Sequence, residues 1–235
     1  TDVLIRAIDN CKILDPACGS GAFPMGILHR MVFLLHKLDQ HNQQWKKRQQ
    51  ENANKIEDPE VREHALKEIE ESFENKELDY ARKLHLIQNC IYGVDIQPIA
   101  GQIAKLRFFI SLIVDQRDNL DRKNRGIRPL PNLETKFVAA NTLIGIDKPK
   151  QVTIANLEIE ELREQLASVR RRHFDARDPR TKEKQRAEDK ELREKIAGLL
   201  GEDGWDNKAA AQVAQWNPYD QNASALFFDP EWMFG

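Results

Sequence analysis

Apolar positions along the chain recur with two different periods, and the places where the period changes mark its elements. Val3 to Ile8 places apolar residues at helical spacing, and Lys12-Ile13-Leu14 follows as a short buried strand running into Asp15-Pro16. Gly26 to Leu38 carries Ile27, Leu28, Met31, Val32, Leu34, Leu35 and Leu38, the pattern of a helix with a wide apolar face. The opening therefore reads strand, tight glycine turn, helix. Ile91-Tyr92-Gly93-Val94-Asp95 is a second strand, stopped by the turn around Pro98, and Ile99 to Val114 is a strongly apolar helix. After a charged loop from Asp115 to Arg128, Lys136 to Ala140 reads as a third strand ending at Asn141. This alternation predicts an α/β fold with a parallel βαβαβ sheet whose faces are covered by the crossover helices.

Two polar stretches interrupt the alternation. From about His41 to Leu84 the chain turns to Gln, Asn, Glu and Lys, is broken at Asp58-Pro59 and resumes helical spacing through Val61, Leu66, Ile69 and Phe73, which reads as a polar helical insertion. Leu157 to Leu200 is rich in Glu, Arg and Lys, with Leu162, Leu166, Val169, Leu192, Ile196 and Leu199 at helical spacings, and Asp178-Pro179 divides it into two helices of a hairpin or arm. The same composition also fits a solvated helix pair that packs only on itself. The expected division is a core over 1–148 containing the insertion at about 40–85, a helical arm over 149–204, and a further segment over 205–235.

Composition narrows the function classes. With 235 residues, 31% of them charged, and a mean hydropathy of -0.64, the chain suits one α/β domain with solvated helical appendages. A net charge of -2 lacks the basic excess of an autonomous DNA binder, so any DNA contact must be local or supplied elsewhere. Three cysteines, Cys11, Cys18 and Cys90, without a CxxC pair argue against a disulfide framework and a zinc site, so no metal is expected and a reducing cytoplasm fits. No apolar run approaches the roughly 20 residues that span a bilayer, and the first residues lack a signal-peptide pattern. A cytoplasmic location away from the membrane is the expectation. The start at Thr1 and the apolar end at Trp232-Met233-Phe234-Gly235 read as boundaries of a piece of a longer protein.

The stretch Asp15-Pro16-Ala17-Cys18-Gly19-Ser20-Gly21-Ala22-Phe23 carries the most chemistry. Gly19 and Gly21 permit a tight turn at the strand's carboxyl edge and a ligand approach closer than a Cβ allows. The following helix N-terminus offers unpaired N–H groups to a carboxylate or phosphate, while Asp15 would repel a phosphate and favour an ammonium. A zwitterionic amino acid satisfies both. Asp95, at the tip of the second strand, can accept both hydroxyls of a ribose, and its neighbour Ile96 can cover one face of an adenine. A helix N-cap ahead of Pro98 is the structural alternative for Asp95. The side-chain amide of Asn141 can accept from an adenine amino group with Leu143 packed on the ring, although an Asn also turns a chain after a strand. In a plain nucleotide-binding fold the acid follows the glycine loop by about 20 residues; here the polar insertion delays it.

The nine-residue string resembles the S-adenosyl-L-methionine (AdoMet) motif of DNA amino-methyltransferases, in which Asp-Pro-Ala-Cys-Gly-Ser-Gly is characteristic of the N6-adenine branch. Gln97 to Leu112, with Ile103-Ala104-Lys105-Leu106-Arg107, and the strand before it look like the corresponding part of large type II restriction-modification methyltransferases with fused restriction and methylation functions. Pro129-Leu130-Pro131-Asn132-Leu133 is similar to the same family. The resemblance implies part of a Rossmann-like AdoMet-dependent methyltransferase sheet, with a helical insertion and a C-terminal helical arm. It implies that Asp15 holds the methionine amine and that the backbone around Pro16, Ala17, Cys18, Gly19, Ser20 and Gly21 cradles the methionine. It further implies that Phe23 closes the pocket, with Asp95 and Ile96 as the candidates for the ribose and adenine and Asn141 with Leu143 for the adenine edge and ring. Many relatives carry Asp where Asn141 stands, and the methionine-contacting segment expected upstream of the glycine loop is not present.

An adenine methyltransferase must extrude its target base and hold the amino nitrogen in line with the donated methyl. The family does this with an Asn-Pro-Pro-Tyr or Phe motif, which the chain lacks; Asn217-Pro218-Tyr219 misses one proline and follows a helix, so it reads as a loop. Phe227 to Phe234 resembles the segment just upstream of the family's catalytic strand. The expectation is an AdoMet-binding portion, inactive alone, of an enzyme acting on double-stranded DNA, with catalytic, target-recognition and possibly nuclease parts elsewhere. Asp58, Glu60 and Glu68 superficially suggest a metal nuclease but lack a strand to converge them. The DNA-contact candidates are Arg170, Arg171 and Arg172 on the arm and Arg122, Lys123 and Arg125 in the charged loop, where they would add salt-dependent phosphate contacts or be simply solvated. The rival reading is a non-catalytic helical module that docks proteins through its insertion and arm.

Overall fold

A computed structural model describes residues 1–40, 42–54, 59, 62–63, 66, 69–70, 78–116, 123–146, 155–202 and 205–234. Helix α1 (Asp2–Asn10) buries Ile5, and Cys11 ends it in extended conformation. Strand β1 (Ile13–Asp15) leads through the glycine turn into α2 (Ala22–Leu38), which buries Pro24, Leu28, Met31 and Leu35 along one face. Helices α3 (Gln43–Ala53) and α4 (Leu78–Asn89) precede β2 (Ile91–Asp95). Then come α5 (Pro98–Ile113), a 3-10 turn at Lys123–Gly126 and β3 (Phe137–Ala139). The chain closes with α6 (Ala155–Asp175), α7 (Pro179–Glu202), α8 (Asn207–Gln215) and the short α9 (Pro230–Phe234). Much of the expected polar insertion, including Val61 and Phe73, lies outside the described residues, as do Asp58, Glu60 and Glu68.

The three strands form one sheet in the order β1-β2-β3. Strands β2 and β3 pair in parallel, with Gly93 opposite Phe137, Val94 opposite Val138 and Asp95 opposite Ala139. Beyond β3 the ladder continues by one bridge, Ala140 with Ala225: the Ala225 N–H donates to Ala139 O at 2.9 Å and the Asn141 N–H to Ala225 O at 2.9 Å. Gly93 is required by this pairing. A Cβ there would stand 2.6 Å from Cδ1 of Phe137 and 3.0 Å from Sγ of Cys18, closer than carbon atoms pack.

The chain forms two compact units, one of Thr1–Ile13, Phe23–Ile91 and Arg107–Arg128, the other of Leu14–Ala22, Tyr92–Leu106 and Pro129–Gly235. These boundaries differ from the expected division at 148 and 204. In the first unit, buried ionic groups tie helices together: Arg48 meets Asp9 at 2.7 Å, and Arg82 donates to Asp39 O at 2.8 Å. Burial, reinforced by the positive charges of Arg48 and Lys12, pushes His85 down to about 4, so it is a neutral packing residue beside Trp45. No helix among the described residues is long and apolar enough to cross a membrane.

In the second unit the apolar stripe of the helical pair is not self-contained. Ile159, Leu166 and Val169 of α6 and Leu192, Ile196 and Leu200 of α7 share a cluster with Ala210, Val213 and Trp232. A second cluster joins Val94, Val138 and Ala140 of the sheet region to Trp216, Phe227 and Met233. Asp189, fully buried on α7, lies between two arginines, receiving Arg170 Nε at 2.9 Å and Arg193 Nε at 2.7 Å. Arg170 also donates to the Trp232 carbonyl at 2.7 Å, and Arg193 to those of Ala214, at 2.7 Å, and Trp216. Each guanidinium thus satisfies carbonyls at the end of a short helix while sharing one carboxylate.

Two stability predictions follow from this packing. Gly93→Ala should cost about 1–3 kcal/mol by overpacking, read as a lower urea midpoint with an unchanged slope. Asp189→Ala strands two buried guanidiniums and should cost about 3–5 kcal/mol. Burial alone would push the Asp189 carboxyl up, but Arg170 and Arg193 outweigh it and hold the group below the usual carboxylate range. Its stabilisation is therefore complete above the unfolded value of about 4 and is lost as pH falls through the lower folded value. In pH-dependent unfolding, the advantage of the wild type over Asp189→Asn should be constant above about pH 5 and shrink in more acid solution.

Candidate functional site

The glycine loop turns where β1 ends. Gly19 and Gly21 have φ of 52° and 79°, the left-handed region that glycine enters without steric cost, and the Gly21 N–H donates to Cys18 O at 2.8 Å to close the turn. A Cβ at Gly19 would meet nothing within 4 Å, so the loop crest faces open space. The Cys18 N–H donates to Val94 O at 2.8 Å, docking the loop on β2. The Asp15 side chain folds back on the loop, its Oδ1 accepting the Ala17 N–H at 3.1 Å.

Asp95 completes the arrangement. Its Oδ2 accepts the Gly19 N–H at 2.9 Å and its Oδ1 the Gln97 N–H at 2.8 Å. The second bond is a turn before the helix rather than the N-cap named as the alternative, since α5 begins at Pro98 and the Gln97 N–H lies outside it. A carboxylate offers about four acceptor positions, so two remain for further donors. Asn141 stands at the same sheet edge, since the Ala140 N–H donates to Asp95 O at 3.0 Å; its own Oδ1 accepts the Leu143 N–H at 3.1 Å.

The charge of this edge is negative. Burial first, then the carboxylates of Asp15 and Asp95, push the Cys18 thiol up to about 12, so it stays protonated and is a packing residue rather than a nucleophile. In the loop Pro16, Ala17 and Ser20 are exposed, and in the same unit Ile96 at 55% and Leu143 at 93% lie open to solvent; Phe23, on the first turn of α2 and in the first unit, is 61% exposed. Exposed apolar groups at strand ends are the lining a flat ligand uses. Sequence reasoning singled out every residue of this edge except Gly93, whose signal was a glycine inside a strand.

The basic candidates separate. Arg170 is corrected: it is 4% exposed, and its guanidinium is committed to Asp189 and the carbonyls of α9, so it does not offer itself to a phosphate. Its ring contact with Trp216, at 5.1 Å, buries it further. Arg171 is exposed, and Arg172 is exposed and paired with Glu188 at 2.8 Å. Arg125 is exposed on the 3-10 turn with a φ of 56°; Arg122 and the side chain of Lys123 lie outside the described residues. Asn217-Pro218-Tyr219 forms a turn, with the Tyr219 hydroxyl at 3.2 Å from Asp189 and its ring against His173 at 4.7 Å.

A glycine loop closed by the carboxylate of the next strand thus stands at the edge of a parallel α/β sheet. The chain belongs to the Eco57I restriction-modification methylase family, whose model matches residues 89–220. It is also 36% identical over 155 residues to a Methanocaldococcus jannaschii protein named "Putative type II restriction enzyme and methyltransferase". That match covers 64% of this chain and 10% of the relative, so the chain spans about a tenth of that protein's length. No solved structure matches the chain.

The burial pattern sets an expected order of thiol reactivity. Cys11 is exposed while Cys18 and Cys90 are buried. A thiol reagent at pH 8, followed by mass spectrometry, should label Cys11 rapidly and leave Cys18 and Cys90 until the protein is unfolded; fast labelling of Cys18 would contradict the docked loop.

Proposed function

We propose that the chain is the AdoMet-binding portion of an adenine-N6 DNA methyltransferase within a restriction-modification enzyme, built on a Rossmann-like sheet. The observation that carries the reading is the 2.9 Å bond from the Gly19 N–H to Asp95, which joins the glycine loop and the strand-end acid at one edge. The edge fits AdoMet chemically: two carboxylates favour a ligand bearing ammonium and sulfonium charges, and the open loop crest admits a backbone-hugging amino acid. In this reading Asp15 accepts from the methionine amine through its second oxygen. The loop from Pro16 to Gly21 lies along the methionine, and the two remaining acceptor positions of Asp95 take the ribose hydroxyls. Ile96, Leu143 and Phe23 shield the apolar faces, and the Asn141 amide reads the adenine edge.

Bound AdoMet supplies an electrophilic methyl group. The residues of this chain orient it and exclude water from it; they do not activate the target nitrogen, because no Asn-Pro-Pro-aromatic sequence occurs in the chain. Double-stranded DNA is the substrate in this reading, approached with help from exposed Arg171 and Arg172 and presented by parts of the longer protein that bear the catalytic and target-recognition groups. The family match supports a methylase of a restriction-modification system, and the adenine target comes from the form of the glycine-loop motif.

Calorimetry tests the assignment. Wild type should bind AdoMet, Asp95→Ala should bind it at least about tenfold more weakly through loss of charge-assisted hydrogen bonds, and Arg171→Ala should bind it normally. Equal binding by wild type and Asp95→Ala removes the ribose assignment. The isolated chain should transfer no methyl group to DNA, and measurable transfer would return Asn217-Pro218-Tyr219 to consideration as a catalytic motif.

A further inference from the structure

A cleft of about 220 Å³ opens beside the Asn217-Pro218 turn, at the carboxyl end of α8. It shares no residue with the glycine loop or with Asp95, Ile96, Asn141 and Leu143. Its walls combine the indole of Trp216 and the 76% exposed Leu226 with the carboxamides of Gln212, Gln215 and Asn217. The hydroxyl of Ser224, also in the lining, is buried and has no hydrogen-bond partner among the described residues. That hydroxyl is sealed from solvent, so it takes no part in contacting a ligand.

The turn that forms the wall is held from several directions. Asn217 Oδ1 accepts the Tyr219 N–H at 3.1 Å, leaving its amide hydrogens for another acceptor. Gln221 Nε2 donates to Pro218 O at 3.1 Å, while Gln221 itself is held by Lys105 and by Gln102, whose Nε2 reaches Gln221 O at 3.0 Å. The cleft is therefore preformed. Its lining contains no Lys or Arg and one carboxylate, Asp220, which disfavours phosphate and other anions. Three amides offer donors and acceptors side by side, the pattern that reads the edge of a nucleobase, and an indole and a leucine supply the flat apolar contact.

We propose that this cleft is a second ligand site that takes a single unstacked nucleobase. The base packs against Leu226 and Trp216, and the amides of Gln212, Gln215 and Asn217 pair with its edge. The size admits one base with its sugar, not a base pair. The proposal stands apart from the AdoMet reading, because the two sites use different residues.

The test is calorimetric titration of the full chain with cytidine, thymidine, adenosine and guanosine and with single-stranded hexanucleotides of each base. Gln215→Ala and Leu226→Asp alter exposed side chains and should leave the melting temperature unchanged. Each should weaken binding about tenfold or more, the scale of a lost base-edge contact. Supporting results divide by source: hexanucleotides binding much more tightly than nucleosides assign the site to a base within nucleic acid, and equal binding assigns it to a free nucleoside. Absence of binding by every probe at millimolar concentration overturns the proposal. Binding that survives both substitutions and is displaced by AdoMet also overturns it, since the bound nucleoside then occupies the glycine loop.

Discussion

The contact on which the site depends spans 76 residues of sequence: the backbone N–H of Gly19 donating to the carboxylate of Asp95. A charge-assisted bond of this kind is stronger than a neutral one, and here it works on a loop whose glycines would otherwise populate many conformations. The Cys18 N–H on the Val94 carbonyl adds a second anchor from the same strand. Together they fix the crest of the loop relative to the end of β2, so a ligand meets a formed edge rather than one it must order. The same carboxylate also receives the Gln97 N–H and so directs the chain into α5.

Charge is arranged differently at two places in the second unit. At the sheet edge, Asp15 and Asp95 concentrate negative charge beside a neutral, buried thiol. Around Asp189, by contrast, one carboxylate holds two arginines that reach the carbonyls closing α8 and α9. Met233 on α9 and Trp216 after α8 belong to the cluster that contains Val94, the residue just before Asp95, and Val138, its partner on β3. The helical pair therefore supports the strands that carry the site, through α8 and α9, rather than standing off as a separate arm.

The glycine loop, the three strands and the helices between them were legible because each rests on local rules: strand periodicity, glycine where φ must be positive, and an acid at a strand tip. The two helices divided at Asp178-Pro179 were legible for the same reason, as α6 and α7. What periodicity could not reveal was the direction of individual charges. Arg170-Arg171-Arg172 looks like a uniform basic run, yet Arg170 faces inward because its partner, Asp189, lies 19 residues away on the next helix, and its other acceptors lie beyond residue 230. Tyr219 is similar: the sequence marks a turn, while its role follows from Asp189 and His173 brought in by folding. The packing of α6 and α7 against Ala210, Val213 and Trp232 was hidden by the high charge of the helices, which describes their outer faces.

Hydrogen–deuterium exchange with and without AdoMet tests the central claim most directly, since it reports backbone protection residue by residue. The account predicts that the ligand slows exchange at the amides of Ala17 to Gly21 and around Asp95 to Gln97, with little change in α6 and α7. Protection absent from the glycine loop, or confined to the helical pair, would contradict it.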